Sequence, residues 1–413
     1  MVRPVRWTTP SLLLAVGTAV VIMGVGAGLA GERGLANRAS ALEQARADDA
    51  QQVRMQTART KLVIADTAAG NDVLTGADPT RLSFRAFDYA AQPALIGLTL
   101  AARQDDDAAV LAVANHYLAR YVMGVDRART EAAQGRSGPA ARTLTEASAL
   151  LHAEVLPRLK AVQDASRARL VDDQSAADHG GLLALLVTVL ALLVLAAVQW
   201  WLTLRTRRLV NLGLAGGVVL LVAVIGAGLV VVAASAHRAD EVRTGPQRAA
   251  DSVVEARISA FDARSVEALA VLGGRVPVGE KAWLGSMTAA RQALTAAGSG
   301  ASAAVRHDLS VIEEDLGDYA DVHDRLLAQA RAGHADQVRA IAGSPTVDGS
   351  TGSFQDFDAT SGALLSRQVR ASDDGWVEAG RNLRLVGWFS LVAGLVAAAL
   401  GWFGLSRRRL EYR

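Results

Sequence analysis

The chain has 413 residues, of which 51% are hydrophobic, and its formal net charge is only +2. A charge this small argues against nucleic-acid binding, which needs a basic surface to neutralise phosphates. The chain contains no cysteine, and this excludes disulfide frameworks, thiolate metal sites and cysteine nucleophiles. The high share of hydrophobic residues is typical of a membrane protein.

The first apolar run covers residues 11–30 and follows two arginines, Arg3 and Arg6. It carries no charge and is long enough to cross the roughly 30 Å of hydrocarbon in a bilayer. Two interpretations compete: a retained signal anchor, or a secretory signal that is cleaved after the small residues Gly28 and Ala30. Secretory hydrophobic regions are usually about 7–15 residues long, so the length favours the anchor.

Residues 31–180 are polar overall and show helical periodicity, with Gly/Pro-containing breaks at residues 76–79 and 135–139. Four amphipathic helices joined by such short breaks indicate an antiparallel four-helix bundle. Pro157 lies inside the fourth helix and should disturb it. The predicted core stripe of the third helix consists of Val110, Val113, Tyr117, Tyr121 and Ala128.

Two further apolar runs, residues 181–202 and 209–236, flank the short basic segment 203–208. Neither run contains Asp, Glu, Lys or Arg, and each is long enough to span a membrane. By the positive-inside rule, the arginines of the connector place it in the cytoplasm. These arginines are Arg205, Arg207 and Arg208. The sequence therefore predicts a transmembrane hairpin with the polar segments before and after it on the outer side.

The second half repeats this plan. Residues 237–384 again show helical stripes, with a break at 273–277 and the longest predicted loop at 343–353. Aligning Leu62 and Asp66 with Ile258 and Asp262 preserves few other identities, so the repeat is one of architecture. The last apolar run, residues 385–405, predicts a fourth span. The basic residues Arg407, Arg408 and Arg409 follow it and place the C-terminal tail inside.

The predicted fold is an all-α membrane protein with four transmembrane helices and two extracytoplasmic antiparallel four-helix bundles. It is a multi-pass protein of the plasma membrane with both termini in the cytoplasm. In chain order the predicted segments are a cytoplasmic N-terminus (1–10), the first span (11–30), the first bundle (31–180), the second span (181–202), the connector (203–208), the third span (209–236), the second bundle (237–384), the fourth span (385–405) and the cytoplasmic tail (406–413).

The sequence shows no pattern that predicts catalysis or cofactor binding. The four predicted spans contain no ionisable residue, whereas transporters usually place such residues at membrane depth. The seven histidines are scattered without the spacing of metal ligands, so we expect no metal, no cofactor and no enzymatic activity. The glycine spacings Gly24/Gly28 and Gly213/Gly217 allow close approach of helices in a membrane.

Two helical domains held between membrane spans resemble the sensor halves of chemoreceptors and histidine kinases, but no large cytoplasmic domain follows here. The chain more closely resembles the GlnX-type family of actinobacterial membrane proteins, which are encoded beside a glutamine-binding lipoprotein and the soluble protein kinase G. The resemblance lies in the sequences RWTTP at Arg6–Pro10, RRLVNLG at Arg207–Gly213, and ARISAFDARSVEALAVL at Ala256–Leu272.

This resemblance implies a non-enzymatic signalling adaptor that relays the state of an extracytoplasmic amino-acid-binding lipoprotein to a cytoplasmic serine/threonine kinase. The alternative is a structural scaffold of the cell envelope, or an assembly protein for membrane complexes, that transmits no signal. Besides membrane lipids, the expected partners are the lipoprotein and the kinase, with no role for nucleic acid. The candidate cytoplasmic contacts are Arg205, Arg207, Arg208, Arg407, Arg408 and Arg409.

Overall fold

The computed structural model describes residues 9–76, 87, 105–168 and 212–411, together with single positions between 186 and 200. This part of the chain is helical apart from short turns and contains no strand, which confirms the predicted all-α class. The connector 203–208 lies outside the described residues. So do most of the predicted second span and nearly all of the predicted second helix of the first half.

The described helices are numbered α1 to α10 in chain order. They are α1 (Thr9–Leu74), α2 (Asp105–Ala133), α3 (Ser137–Leu150), α4 (Leu212–Val242), α5 (Arg248–Leu272), α6 (Val276–Gly298), α7 (Ala303–Arg331), α8 (Ala335–Gly343), α9 (Ser350–Gly380) and α10 (Leu383–Glu411). A π turn at Leu151–Val155 continues α3 into helical residues 156–168, and a second π turn at Arg243–Gln247 joins α4 to α5.

Three described helical segments are long and apolar enough to cross a membrane. They are Ala15–Leu74, Ala215–Leu272 and Ser350–Gly404, and they include most of the first, third and fourth predicted spans. The predicted second span is described only at single positions, which are helical. The number of four spans therefore stays a prediction.

The chain divides into two compact units, each described by itself. The apolar unit comprises the described parts of Met1–Ala47, Arg169–Asp240 and Asp374–Arg413. The polar unit comprises the described parts of Asp48–Ala168 and Glu241–Asp373.

Small residues bring three helices close together in the apolar unit. A Cβ added at Gly28 of α1 would lie 3.1 Å from the Cα of Gly394 on α10. A Cβ added at Gly217 of α4 would lie 3.3 Å from the carbonyl oxygen of Ala397, also on α10. The predicted close approach at Gly24/Gly28 and Gly213/Gly217 is thus confirmed, and α10 is the helix that both pairs contact.

One hydrophobic core runs through the polar unit and contains buried residues from both halves of the chain. Leu62 and Tyr121 from the first half belong to the same cluster as Phe261 and Phe357 from the second half. The sequence predicts two bundles, but in the structure they do not have separate cores. The reason is that α1 and α5, the first helices of the two halves, pack against each other.

The helix ends in the polar unit follow the predicted breaks. α1 ends just before Gly76, α2 before Gly135 and α5 before Gly274, and these three glycines have φ values of +84°, +74° and +62°. Residues with a side chain rarely adopt this left-handed conformation, so glycine suits these positions. The predicted breaks are therefore confirmed at Gly76, at residues 134–136 and at residues 273–275, whereas α3 and α6 already begin at Ser137 and Val276. Residues 77–79 lie outside the described residues.

Both π turns lie next to a proline. Pro246 is inside the second π turn, and Pro157 follows the first by two residues. Proline lacks an N–H and its ring collides with the carbonyl group four residues earlier. A π turn widens the helix locally, which lets α3 continue through Pro157 instead of ending there.

Two details of the helical pattern differ from the prediction. The buried stripe of α2 is Leu111, Ala114, Leu118, Tyr121, Val125 and Ala128, whereas Val113 is 44% exposed. The predicted stripe was therefore shifted by one position over the first half of this helix. The predicted loop 343–353 is also too long, because the short helix α8 reaches Gly343 and α9 already begins at Ser350.

Candidate functional site

α1 and α5 lie side by side in the polar unit and run in the same direction. Arg59 Nη1 donates to Glu255 Oε1 at 2.9 Å, and Ser265 Oγ donates to Asp66 Oδ2 at 2.7 Å. All the hydrogen bonds along this seam join residues between 193 and 199 positions apart. In an antiparallel pair this difference would change steadily along the helices. A nearly constant difference therefore means that the two helices are parallel and in register.

A buried polar cluster lies in the middle of this seam. Asp66 on α1 is 2% exposed, and its Oδ2 accepts hydrogen bonds from Ser148 Oγ on α3 and from Ser265 Oγ on α5, each at 2.7 Å. The cluster joins three helices from both halves of the chain. Together with Tyr121, His152 and Asp262, these residues are called the Asp66 cluster below.

His152 lies between the two carboxylates of the Asp66 cluster. Its Nε2 is 3.4 Å from Asp66 Oδ2, and its Nδ1 is 3.7 Å from Asp262 Oδ1. Burial alone lowers the pKa of His152, but the hydrogen bond and charge of Asp66 and the charge of Asp262 outweigh it, so the pKa is raised. Burial raises the pKa of Asp262 to about 6, against the opposing effect of the His152 charge. Asp262 therefore keeps its proton up to about pH 6, and His152 keeps its proton to a higher pH than a free imidazole does.

Three buried atoms of the cluster have no hydrogen-bond partner among the described residues: Tyr121 Oη, Asp66 Oδ1 and Asp262 Oδ1. Burial and the negative charge of Asp66 raise the pKa of Tyr121 well above its usual range, so its hydroxyl keeps its proton. A buried polar group without a partner is costly. The cluster thus has donor and acceptor capacity that a second arrangement of the helices can use.

A second buried network surrounds Glu267 on α5. Arg264 Nη1 donates to Glu267 Oε1 at 2.8 Å, and His323 Nδ1 lies 2.5 Å from Glu267 Oε2. The other ring nitrogen of His323 is 3.1 Å from Glu280 Oε2, and the ring stacks on Trp283 with centroids 3.7 Å apart. Two cations and two carboxylates therefore alternate in this network.

In the Glu267 network, neighbouring groups of opposite charge stabilise each other's charged forms. Burial alone raises the pKa of Glu267, but the hydrogen bond with His323 and the charge of Arg264 outweigh it and lower the pKa. For His323, burial lowers the pKa, while the hydrogen bonds and charges of Glu267 and Glu280 raise it by more. Arg264 also donates to the carbonyl oxygen of Ala342 at 2.9 Å. The network thus ties α5 to α6, α7 and the end of α8, and it is a structural anchor.

Neither network has the arrangement of a metal centre. Among the described residues, no three His, Asp or Glu side chains converge so that they could hold a metal ion. In the Asp66 cluster, Asp66 Oδ2 accepts hydrogen bonds from two serines instead. What this arrangement can do chemically is share and exchange protons between the two halves of the chain.

The predicted contact residues lie elsewhere. Arg205, Arg207 and Arg208 are outside the described residues, and Arg407, Arg408 and Arg409 belong to the last turns of α10. Their role in binding a partner stays a prediction. Sequence reasoning missed the Asp66 cluster, although the matched positions Leu62/Asp66 and Ile258/Asp262 were a signal that could have found it.

Comparison with known proteins identifies part of this unit. Residues 41–175 match the family model described as actinobacterial sensor domain. The match includes Asp66, Tyr121, Ser148 and His152, while Asp262 and Ser265 lie beyond it. No curated protein and no solved structure matches the chain. Residues 41–175 are therefore similar to an actinobacterial sensor domain, and this segment supplies most of the Asp66 cluster.

Proposed function

We propose that this protein is a non-enzymatic signalling adaptor of the plasma membrane. It relays the state of an extracytoplasmic amino-acid-binding lipoprotein to a cytoplasmic serine/threonine kinase. The sensor-domain match supports the sensing role, and the resemblance to the GlnX-type family supplies the identity of the two partners. In this proposal the chain crosses the membrane four times, with both termini and the connector 203–208 in the cytoplasm.

The observation that carries the proposal is the continuity of α1. This helix has 66 residues without a break. It contains the apolar first span and also the residues Arg59 and Asp66, which bond to α5. A long uninterrupted helix transmits a displacement along its axis because its hydrogen-bonded turns resist compression. The first predicted span and the residues that bond to α5 thus belong to one continuous helix.

In this proposal, the parallel pair of helices α1 and α5 is the part of the protein that changes between two states. Both helices continue from, or are joined to, an apolar span, so a shift of one against the other moves two spans relative to each other. Helix shifts of about 1–2 Å are common in signalling proteins. A binding partner shifts the equilibrium only through its different affinity for the two states. In this proposal the unpaired atoms of the Asp66 cluster gain partners in the second arrangement of the seam.

The cytoplasmic output rests on the two basic segments. The connector has three arginines and the tail has Arg407, Arg408 and Arg409. Guanidinium groups bind carboxylates in a bidentate manner, so these segments suit an acidic surface on the kinase. The only other cytoplasmic part of the proposed topology is the short N-terminal segment.

The connector is tested by replacing Arg205, Arg207 and Arg208 with Gln, and in a matched control with Lys. The Lys variant keeps the charge that orients the spans but loses bidentate hydrogen bonding. We expect both variants to insert normally. The Gln variant should lose phosphorylation of the kinase substrate in response to the external amino acid, and the Lys variant should reduce it.

A second experiment tests the outer partner. The adaptor purified in mild detergent should retain the solute-binding lipoprotein, and the amount retained should change when the amino acid is added. If retention does not depend on the amino acid and kinase-substrate phosphorylation in the wild type does not respond to it, the relay is disproved and the scaffold remains. A correctly inserted Gln variant that signals normally would show that the connector arginines are not the kinase contact. If the Gln variant inserts in the opposite orientation, its loss of signal reports the orienting role of the arginines, and the Lys variant alone tests the contact.

A further inference from the structure

A groove of about 420 Å³ opens in the polar unit between α1, α5 and α9. Three cations line it, one from each helix: Lys61, Arg257 and Arg370. No Asp or Glu is among the lining residues. The remaining walls are aliphatic side chains with a few hydroxyl and amide groups. The volume falls within the range of about 300–1,000 Å³ that is usual for small-molecule sites.

Two of the three cations are not neutralised. Lys61 and Arg370 have no ion pair or side-chain hydrogen bond with any described residue. Arg257 is held in place, because its Nη1 donates to the carbonyl oxygen of Asp358 at 2.7 Å and its Nη2 to the carboxylate of the same residue at 2.5 Å. Other cations of this unit, such as Arg59 and Arg264, have a carboxylate partner. The groove therefore carries an excess of positive charge on a largely apolar floor.

Two residues that line the groove also carry a buried polar atom with no partner in the described part of the chain. Thr57 satisfies its hydroxyl by donating to the carbonyl oxygen of Val53 at 2.7 Å. Thr60, one turn along the same helix, is 7% exposed, and its Oγ1 has no hydrogen-bond partner among the described residues. The Nε of Arg257 is likewise buried without a described partner. Such groups are costly unless something pairs with them.

We propose that this groove is a direct binding site for a small organic anion, a carboxylate with an aliphatic body. Lys61 and Arg370 bind the carboxylate oxygens, and Thr60 donates its hydroxyl after a rotation about χ1. The aliphatic walls cover the carbon chain. Because the groove is formed by α1, α5 and α9 together, an occupant bridges both halves of the chain at the seam.

The charge of the groove selects against amino acids. A bound α-amino acid brings an ammonium group, which needs a carboxylate or several acceptors as partners. No carboxylate lines this groove, and the cations Lys61 and Arg370 repel a second positive charge. The ligand class therefore differs from the amino acid sensed through the lipoprotein, and the site is an independent input to the same unit.

Calorimetry on the purified full-length protein in detergent tests this proposal. The probes are glutarate, its amino-acid counterpart glutamate, the uncharged 1,5-pentanediol, and inorganic phosphate. We expect glutarate to bind more tightly than the other three. Lys61→Gln and Arg370→Gln should each weaken glutarate binding by about tenfold or more, the usual effect of losing a charge-assisted hydrogen bond.

Arg367→Gln is the matched control, because Arg367 is also an exposed cation of α9 but pairs with Asp308 outside the groove. It should leave glutarate binding unchanged, and unfolding midpoints should be alike in all three variants.

The proposal is overturned if glutarate does not bind at about 10 mM, a concentration well above the dissociation constant of an ordinary site. It is also overturned if Arg367→Gln weakens binding as much as Arg370→Gln, or if phosphate binds more tightly, which would indicate a phosphate site. None of these outcomes bears on the kinase relay, which is measured separately.

Discussion

At the scale of single residues, the Asp66 cluster makes the stability of the polar unit depend on pH. The pKa of Asp262 is about 6 in the folded protein and close to its ordinary value when unfolded. The folded state therefore holds the proton more tightly, and the free energy of unfolding falls as the pH rises between about 4 and 6. The pKa of His152 is also raised, so the free energy of unfolding continues to fall as the pH rises above the ordinary pKa of histidine.

The variant Asp262→Asn should lose much less unfolding free energy than the wild type as the pH rises. Between pH 4 and pH 7.5 the wild type should lose about 2 kcal/mol more unfolding free energy than the variant, a figure reduced for the partial exposure of the Asp262 side chain. Denaturant unfolding of the detergent-solubilised protein, followed by tryptophan fluorescence, measures this difference. Parallel pH profiles for the two proteins would contradict the assignment of the raised pKa to Asp262.

Neutralising Glu267 should lower the free energy of unfolding far more than neutralising an exposed carboxylate. Its side chain is fully buried between Arg264 and His323. Glu267→Gln leaves two buried cations with one carboxylate fewer, and breaking a buried pair in this way costs about 3 kcal/mol or more. Asp164→Asn is the control, because it removes the exposed i,i+4 partner of Lys160, and such pairs contribute less than about 1 kcal/mol. Equal effects in thermal unfolding would show that the network is not an anchor.

The burial of these polar residues could not be predicted from the sequence. Helical spacing predicts the stripe Ala58, Leu62, Ala65, Ala69 and Val73 for the first helix. α1 buries all five, but it also buries Asp66, Thr67 and Asp72. Amphipathic reasoning assigns polar residues to a solvated face. Here α1 is covered on several sides by helices of both halves, and hydrogen bonds between the halves satisfy its polar groups.

At the scale of elements, the parallel register of α1 and α5 can be tested by cross-linking, because the natural chain has no cysteine. A Cβ added at Gly70 would lie 3.0 Å from the Cβ of Ala268, and a small shift brings this to the 3.5–4.5 Å or so of a disulfide. The double variant Gly70→Cys/Ala268→Cys should therefore cross-link under mild oxidation. Gly70→Cys/Leu272→Cys, one helical turn further along, should not. If a denaturing gel shows that the Gly70→Cys/Leu272→Cys variant cross-links and the Gly70→Cys/Ala268→Cys variant does not, the register is wrong.

Close packing in the apolar unit predicts a contrast between two glycines. A Cβ added at Gly394 of α10 would lie 2.6 Å from the Cα of Gly28 on α1, whereas one added at Gly26 meets nothing within 4 Å. Gly394→Ala must push α1 and α10 apart, and overpacking of this kind costs about 1–3 kcal/mol. Gly26→Ala should be tolerated. The unfolding midpoints of both variants in the same detergent measure this, and equal midpoints would argue against the contact.

Element positions were predictable to the extent that local chemistry decides them. The glycine breaks and the stripe Trp283, Met287, Ala290, Leu294 and Ala297 of α6, all buried, follow from backbone freedom and helical spacing. The stripe of α2 was displaced because Val113 and Leu111 are equally apolar, and only the neighbouring helices decide which of them faces the core. The short helix α8 was missed because its nine residues give too few turns for periodicity to appear.

At the scale of the whole molecule, two halves with the same order of elements contribute to one polar unit. Each half contributes a helix that adjoins an apolar segment, and these two helices, α1 and α5, pair in parallel. The sequence shows both halves but does not predict their mutual packing, because the pairing depends on contacts between residues nearly 200 positions apart.

The proposed topology predicts on which side of the membrane the polar unit lies. Gly300 is in the turn between α6 and α7, its φ is +76°, and a Cβ added there meets nothing within 4 Å, so an insertion at this turn should not disturb packing. Alkaline phosphatase fused after Gly300 should be active, because this enzyme folds only outside the cytoplasm. A green fluorescent protein fused after Arg413 should fluoresce, because it folds inside. If the phosphatase is inactive while a fluorescent protein at Gly300 fluoresces, the polar unit is cytoplasmic. In that case it cannot meet an external lipoprotein, and the direction of the proposed relay is wrong.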